Sequence, residues 1–136
     1  MNTTEINPTK KERLEELSGC TIKVATSCGN LYVTVNFSET GEPFEVFVRM
    51  GKAGGCSGSF LEAIGRLISL GLRSGVPAGE IISQLKGIRC PNISVSRGVT
   101  YTSCADVLGQ CLERFQGYSQ KQTPEEKSTA LVPAGF

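Results

Sequence analysis

The chain has 136 residues, with 14 basic and 13 acidic side chains and a formal net charge of +1. This length predicts one domain with its own hydrophobic core. The balanced charge provides no global field for nucleic acid or for an acidic partner, so any anion site must be local. Histidine is absent, which excludes Ser-His-Asp catalysis, Cys-His catalysis and every metal site with a histidine ligand.

No apolar run approaches the roughly 18 residues of a membrane-spanning helix, and residues 1–11 lack a signal-peptide pattern. We therefore expect a soluble, cytoplasmic protein without a membrane partner. Thiols stay reduced in that compartment, so the six cysteines favour metal binding or redox chemistry over a disulfide framework.

Residues 1–20 are polar and are predicted to form a peripheral helix or arm. Pro8 suits the first turn of a helix that Gly19 would end. Leu14 and Leu17 would lie on one side of that helix, but with Ile6 they supply too little apolar surface to hold it firmly.

Apolar and polar residues then alternate in three segments, 21–26, 31–37 and 44–50, which are joined by short turns. A period of two is typical of half-buried strands, so these segments predict a three-stranded antiparallel meander with one apolar face. Together with the helices that follow, the pattern predicts an α/β (α+β) fold in which the meander packs against two to three helices.

Three helices are predicted after the meander. Residues 60–73 are apolar over most of the circumference and should form the central core helix across the sheet. A second helix begins at Pro77 and ends at Gly87. A third begins at Ser103, which stands at capping-box-like spacing from Asp106. Residues 93–99 form a short extended stretch between them, and residues 117–136 are predicted to be a disordered polar tail.

A glycine-rich loop, residues 51–59, joins the third strand to the first helix. Such a loop leaves backbone N–H groups unpaired at a helix N-terminus, which favours an anion or a thiolate there. The phosphate-binding residues predicted in this loop are Lys52, Gly54, Gly55 and Ser57. The alternative is a tight turn that needs its glycines only for positive φ.

Four of the cysteines share one feature, a position at a turn or at the end of an element: Cys28, Cys56, Cys90 and Cys104. A tetrathiolate zinc site needs four soft ligands delivered by turns, but the sequence has no Cys-x-x-Cys pair to mark one. Two alternatives stay open, four inert thiols or a redox pair. Cys111 lies on the apolar face of the third helix and is expected to be a buried structural thiol, and Cys20 is expected to be incidental.

The chain resembles the TSCPD domain over roughly residues 21–115. The resemblance rests on residues 26–35, 43–48, 51–56, 62–70 and 84–91, and on Thr102-Ser103-Cys104-Ala105-Asp106, where Ala105 replaces the proline of the family's namesake motif. This domain is found near the C-terminus of adenosylcobalamin-dependent (class II) ribonucleotide reductases and as small stand-alone proteins.

The resemblance implies a compact α/β domain over residues 21–116, with Cys28, Cys56, Cys90 and Cys104 as a metal-binding quartet. Zinc is the expected metal, and an iron–sulfur cluster or no metal are the alternatives, since four thiolates serve either metal. The chain has no catalytic barrel, radical-forming cysteine set or cobalamin domain, so the resemblance does not imply reductase activity.

Three functions compete. The first is a non-catalytic zinc-bound module that binds nucleic acid, a nucleotide or a reductase-like protein, since a metal that gathers the cysteine loops would also gather Arg49, Arg89 and Arg97. The second is a stand-alone protein that captures a signalling nucleotide as a homodimer, with Tyr32 and Phe47 stacking on a base or covered by the other subunit. The third is a thiol redox accessory protein; other enzymes are not expected, because paired carboxylates and Ser-x-x-Lys are absent.

Overall fold

A computed structural model of the protein describes residues 10–51 and 55–116. The chain forms an α+β fold whose elements, in order, are β1 (Gly19–Thr26), β2 (Gly29–Phe37), β3 (Pro43–Met50), α1 (Gly55–Arg73), α2 (Ala78–Leu85), β4 (Ser94–Ser96), β5 (Val99–Tyr101) and α3 (Cys104–Phe115). The three-stranded antiparallel meander and the three helices confirm the predicted fold class. The predicted tail, residues 117–136, lies outside the described residues.

The meander pairs its strands in the order β1-β2-β3 and buries one of its two faces. Val24 faces Leu31 across the first ladder, and Val33 faces Val48 across the second. Apolar side chains at every second position of β2 make this inner face, which is why the alternation in the sequence was informative. Thr26 pairs with Gly29 where β1 turns into β2, and Gly29 has φ +130°, a conformation that L side chains rarely adopt.

The core helix is α3, and not α1 as the sequence indicated. The buried residues of α3 are Val107, Leu108, Cys111, Leu112 and Phe115, and the Phe115 ring meets the Phe37 ring edge to face at 5.9 Å. In α1, by contrast, Phe60 and Leu67 are each 66% exposed. The prediction was wrong because α1, which is apolar over most of its circumference, buries only part of its apolar surface.

Helix α1 lies along the outer edge of β3, where its Ser69 side chain pairs with backbone hydrogen-bonding groups of the strand. The Ser69 hydroxyl accepts a hydrogen bond from the Val46 N–H at 2.9 Å and donates one to the Val46 carbonyl oxygen at 3.1 Å. A Cβ at Gly65 would lie 3.3 Å from that same carbonyl oxygen, so glycine permits the close approach. Covering an edge strand in this way prevents it from pairing with another chain.

Replacing Ser69 by alanine should therefore lower the free energy of unfolding by about 1–2 kcal/mol, because it leaves both polar groups of Val46 without their partner. Ser83→Ala is the matched control, since the exposed Ser83 hydroxyl bonds only within α2, donating to the Glu80 carbonyl oxygen at 2.8 Å and accepting from the Gln84 side chain at 3.4 Å. Urea unfolding followed by circular dichroism measures both. Equal stability of the two variants would contradict this role of Ser69.

The N-terminal segment is an arm over its described part. Residues 10–18 contain no helical residue, so the helix alternative does not hold there, and Gly19 begins β1 rather than ending a helix. The Arg13 guanidinium Nε lies 2.9 and 3.0 Å from the two carboxylate oxygens of Glu45, which is only 2% exposed. Asn36 donates to the same carboxylate at 2.7 Å. The arm thus neutralises a buried charge on the outer face of the sheet.

The remaining elements, α2 and the β4–β5 hairpin, pack against α3 and beside the β1–β2 turn. Helix α2 packs against α3, and β4 and β5 form a hairpin whose turn holds Arg97 and Gly98 at positive φ. Ser27, in the β1–β2 turn, donates its N–H to the Ser94 hydroxyl at 2.8 Å. None of the helices in the described ranges is long and apolar enough to cross a membrane.

Candidate metal and anion sites

Three of the four predicted ligand cysteines lie close together. Cys28 is in the β1–β2 turn, Cys90 follows α2, and Cys104 is the first residue of α3. Burial raises the pKa of the Cys104 thiol, and the neighbouring Cys28 raises it further; the Thr26 hydroxyl lowers it, and Cys90 adds a smaller increase. Three segments far apart in sequence therefore bring their thiols to one end of the sheet.

Local hydrogen bonds hold Cys28 at this position. The Thr26 hydroxyl accepts from the Cys28 N–H at 3.1 Å and donates to the Gly29 carbonyl oxygen at 2.7 Å, which closes the turn. The Ser27 hydroxyl reaches the Asn92 carbonyl oxygen at 3.5 Å. The turn that carries Cys28 is thereby tied to the segment that carries Cys90.

Cys90 is fixed in turn against the start of α3. Its N–H donates to the Thr102 carbonyl oxygen at 2.9 Å, and its thiol donates to the Asn92 carbonyl oxygen at 3.1 Å. The Thr102 hydroxyl donates to the Ile88 carbonyl oxygen at 2.8 Å. These bonds place Cys90 beside the residues that lead into Cys104.

Asp106 is buried, at 3% exposed, and links the chain just after α2 to the residues that lead into α3. Its carboxylate accepts from the Gly87 N–H at 2.8 Å, from the Thr102 N–H at 3.0 Å and from the Gln110 side chain at 2.7 Å. Burial alone would raise the pKa of Asp106, but these hydrogen bonds together outweigh it and hold the pKa below its ordinary value. The Ser103 hydroxyl accepts from the Asp106 N–H at 3.0 Å, which confirms the predicted cap.

Cys56 stands apart from the other three. It is the second residue of α1, is exposed, and directly follows the loop residues 52–54, which lie outside the described ranges. No interaction found among the described residues joins it to Cys28, Cys90 or Cys104. Within residues 10–51 and 55–116, no group of three or more cysteine, aspartate or glutamate side chains is placed to hold a metal ion.

The donor set nevertheless suits a thiophilic ion. All six cysteines are free thiols, and the three neighbouring ones come from turns and a helix start, the kind of position from which structural zinc sites take their thiol ligands. The two remaining cysteines differ. Cys111 is fully buried among apolar side chains, as predicted, and burial raises the pKa of its thiol to about 12. Cys20 is half-buried on the inner face of β1 and packs against the core.

The predicted anion loop is described only in part. Lys52 and Gly54 lie outside the described residues, Gly55 begins α1, and Ser57 is exposed in its first turn. That first turn contains no acidic residue. The backbone N–H groups at the start of α1 are therefore not paired with a carboxylate from the same turn.

The three predicted arginines lie on separate elements. Arg49 is on the outer face of β3, with its guanidinium 5.8 Å from the centre of the Tyr32 ring. Arg89 is exposed next to Cys90, and Arg97 is exposed at the tip of the β4–β5 hairpin. No interaction given for the described part of the chain joins these guanidinium groups, so a single arginine cluster is not formed there.

The structure also contains a groove that the sequence did not indicate. It has a volume of about 620 Å³ and lies between the outer face of β3 and α1, and its walls include Phe47, Arg49, Glu62, Arg66, Leu70 and Arg73. Phe47 is 55% exposed. Its acidic residues are already paired, Glu45 with Arg13 and Glu62 with Arg66. Only the packing of α1 beside β3 creates this groove, so no local motif could predict it.

Comparison with protein families gives a match over most of the chain. The sequence profile of the TSCPD domain matches residues 6–116 of the 136. Comparison with curated proteins and with solved structures gave no match. The matched range includes the strands, the helices and all six cysteines.

Proposed function

The chain belongs to the TSCPD domain family, and from this we propose that it is a non-catalytic, zinc-stabilised module that binds a phosphate-bearing partner. Cys28, Cys56, Cys90 and Cys104 would hold the zinc. The partner would be a nucleotide or a nucleic acid, in keeping with the family's occurrence at the C-terminus of ribonucleotide reductases; a reductase-like protein is a further possible partner.

The observation that carries the metal part is the meeting of Cys28, Cys90 and Cys104. Their segments are fixed by hydrogen bonds to one another, the Cys104 thiol interacts with the Thr26 and Cys28 side chains, and the Cys90 thiol donates to the Asn92 carbonyl oxygen. A zinc ion bound by thiolates would add a strong link between these segments and α1. Four thiolates would leave no open position for water, which is why the module is proposed to be non-catalytic.

The phosphate part depends on the start of α1. This 19-residue helix has no acidic residue in its first turn, so the positive end of its dipole and its unpaired N–H groups favour an anion. Lys52 precedes these groups in the chain and would add a charge-assisted hydrogen bond. Ligation by Cys56 would fix the same turn, so metal binding would also order the phosphate site.

Native mass spectrometry of the protein as isolated, compared with the denatured mass, tests the metal. One zinc per chain, removed by a chelator together with a fall in melting temperature, is the expected result. Bound iron together with a visible absorption band would instead identify an iron–sulfur cluster. A chain lighter by pairs of hydrogens would show disulfides and would contradict the quartet.

Lys52→Ala is expected to weaken binding of a fluorescent nucleoside triphosphate about tenfold, as the loss of one charge-assisted hydrogen bond does. The melting temperature should change little. Lys23→Ala is the matched control, because Lys23 is an exposed lysine on β1, outside the proposed site. Fluorescence anisotropy measures all three proteins, and equal affinities would discard the loop as the phosphate site.

The groove favours a second candidate, capture of a nucleotide-type ligand by a homodimer. Phe47 offers an exposed ring for a base and Arg49 a cation for a phosphate, in a groove of about 620 Å³. In that case Phe47→Ala would weaken the same probe and Lys52→Ala would not. The two variants therefore distinguish the loop from the groove.

A further inference from the structure

The groove between β3 and α1 carries positive charge that its own carboxylates do not neutralise. Both acidic side chains in its described walls are already paired, since Glu45 binds Arg13 and Glu62 binds Arg66. The other cations in its walls are Lys10, Arg49 and Arg73. No ion pair within the described ranges involves these three side chains. The groove is therefore electropositive, although the net charge of the whole chain is only +1.

The cations lie towards both ends of the groove. The Arg73 guanidinium is 5.6 Å from the centre of the Phe44 ring, near the start of β3. Lys10 is at the same end, because the Lys11 N–H donates to the Arg73 carbonyl oxygen at 2.8 Å. Arg49 lies five positions beyond Phe44 on β3, a distance of about 17 Å along a strand. Cations at both ends suit a ligand with repeated phosphates, whereas a mononucleotide carries its phosphates at one end only.

An exposed aromatic ring stands between the two ends. Phe47 is 55% exposed, and its cross-strand partner Thr34 is too short to cover the ring. Arg49 is the next residue on the same face of β3, and its guanidinium is held 5.8 Å from the centre of the Tyr32 ring. Phe47 and Arg49 thus offer two planar groups about 7 Å apart along the strand. Bases of single strands stack on aromatic rings and on guanidinium planes alike.

We propose that the groove between β3 and α1 binds a single strand of nucleic acid, with one base stacked on Phe47, the next on Arg49, and phosphates on the cations at both ends. A spacing of about 7 Å is twice the 3.4 Å rise of stacked nucleotides, so the two bases must be unstacked and a duplex does not fit. The inference rests on the proposed function in that the partner carries phosphate. It goes further by naming the class of partner and the groove that holds it.

Fluorescence anisotropy of the full chain, as isolated, with a labelled oligothymidine of about 12 nucleotides tests the stacking, since small single-strand-binding folds cover roughly 4–16 nucleotides. Phe47→Ala should weaken binding about fivefold or more, the loss expected for one stacked base. Phe47→Trp keeps an aromatic face and should bind within about twofold of wild type. Phe60→Ala is the matched control and should not change the affinity, because Phe60 is 66% exposed and lies on the side of α1 opposite the groove.

The salt dependence of the same binding tests the cations. Each phosphate contact to a single strand contributes about 0.7 to the slope of log affinity against log salt concentration. Lys10→Gln and Arg49→Gln should each reduce that slope by roughly this amount. Lys86→Gln is the matched control and should leave the slope unchanged, because Lys86 pairs with Glu113 and is not part of the groove walls.

Four results would overturn the proposal: no binding of oligothymidine, binding that Phe47→Ala leaves unchanged, equal affinity for thymidine mononucleotide, or equal affinity for a duplex of the same length. Thermal melts of every variant, which should match wild type at these exposed positions, exclude unfolding as the cause.

The two ligands separate this inference from the proposed function. A nucleoside triphosphate that binds through Lys52, in a protein that does not bind oligothymidine, would leave the proposed function standing and discard the groove as a strand site. Oligothymidine binding that depends on Phe47, without triphosphate binding at the loop, would support the groove and discard the loop. Failure of both ligands to bind would discard both sites.

Discussion

Replacing Asp106 by alanine is expected to lower the free energy of unfolding by about 4 kcal/mol, because it leaves several buried donors without an acceptor, each costing roughly 1–3 kcal/mol. The donors are the N–H groups of Gly87 and Thr102 and the Gln110 side chain. Urea unfolding measures the change. The substitution leaves every cysteine in place, so it probes the frame around the thiols.

Glu113→Ala is the matched control for this prediction. Glu113 is also an acidic residue of α3, but its carboxylate is 53% exposed and pairs with Lys86 at 2.7 Å. An exposed pair of this kind contributes about 0–1 kcal/mol. A loss from Asp106→Ala no larger than that from Glu113→Ala would mean that the buried hydrogen bonds do not hold these segments together.

The bonds of Asp106 give the namesake motif a physical basis. Thr102 holds the Cys90 segment through its carbonyl oxygen and its hydroxyl, Ser103 caps α3, and Asp106 links Thr102 to Gly87. Each polar residue of the motif has a bond to make whether or not a metal is present. Ala105, in place of the usual proline, removes none of these bonds.

The parts of the fold that could be read from the sequence are those that depend on local periodicity and on chain breakers. Alternation located the three strands because one face of the meander is buried and the other is polar. Gly75 and Gly87, both at positive φ, mark the chain just after α1 and α2. The Ser103 cap was readable because its hydrogen-bond partner is three residues away.

What could not be read depends on contacts between distant elements. Apolar residues around α1 predicted a central helix, but periodicity cannot tell an apolar face that is buried within the chain from an exposed one, such as the face of α1 that carries Phe60 and Leu67. The bond from Gly87 to Asp106 spans two elements, so only the capping role of Asp106 was foreseen. The groove beside β3 was missed for the same reason.

The cysteines illustrate both what the sequence could predict and what it could not. Their positions at turns distinguished Cys28, Cys56, Cys90 and Cys104 from Cys20 and Cys111. Of those four, Cys28, Cys90 and Cys104 are neighbours in the fold. The sequence could not say how near they would lie. Cys56 lies exposed in the first turn of α1, apart from the other three, and no local pattern in the sequence indicated that separation.

Cys56→Ser should abolish tight zinc binding and lower the melting temperature by about 10 °C or more, because a structural zinc ion contributes folding free energy directly. Cys56 is exposed. A serine at an exposed position otherwise changes stability by only about 0.5 kcal/mol. A large loss of stability at this position would therefore report a lost metal ligand rather than lost packing. Zinc content and thermal melts of the purified protein measure the two effects.

Cys90→Ser should behave in the same way, whereas Cys20→Ser, a thiol outside the quartet, should keep its zinc. The decisive comparison adds a chelator in excess. A ligand that binds only the folded state stabilises it by mass action, so removing zinc should bring wild type down to the melting temperature of Cys56→Ser. If Cys56→Ser retains one zinc per chain and the melting temperature of wild type, Cys56 is not a ligand and the four-thiol site is wrong. If the difference in melting temperature persists in chelator, the stability lost with the Cys56 thiol does not come from zinc.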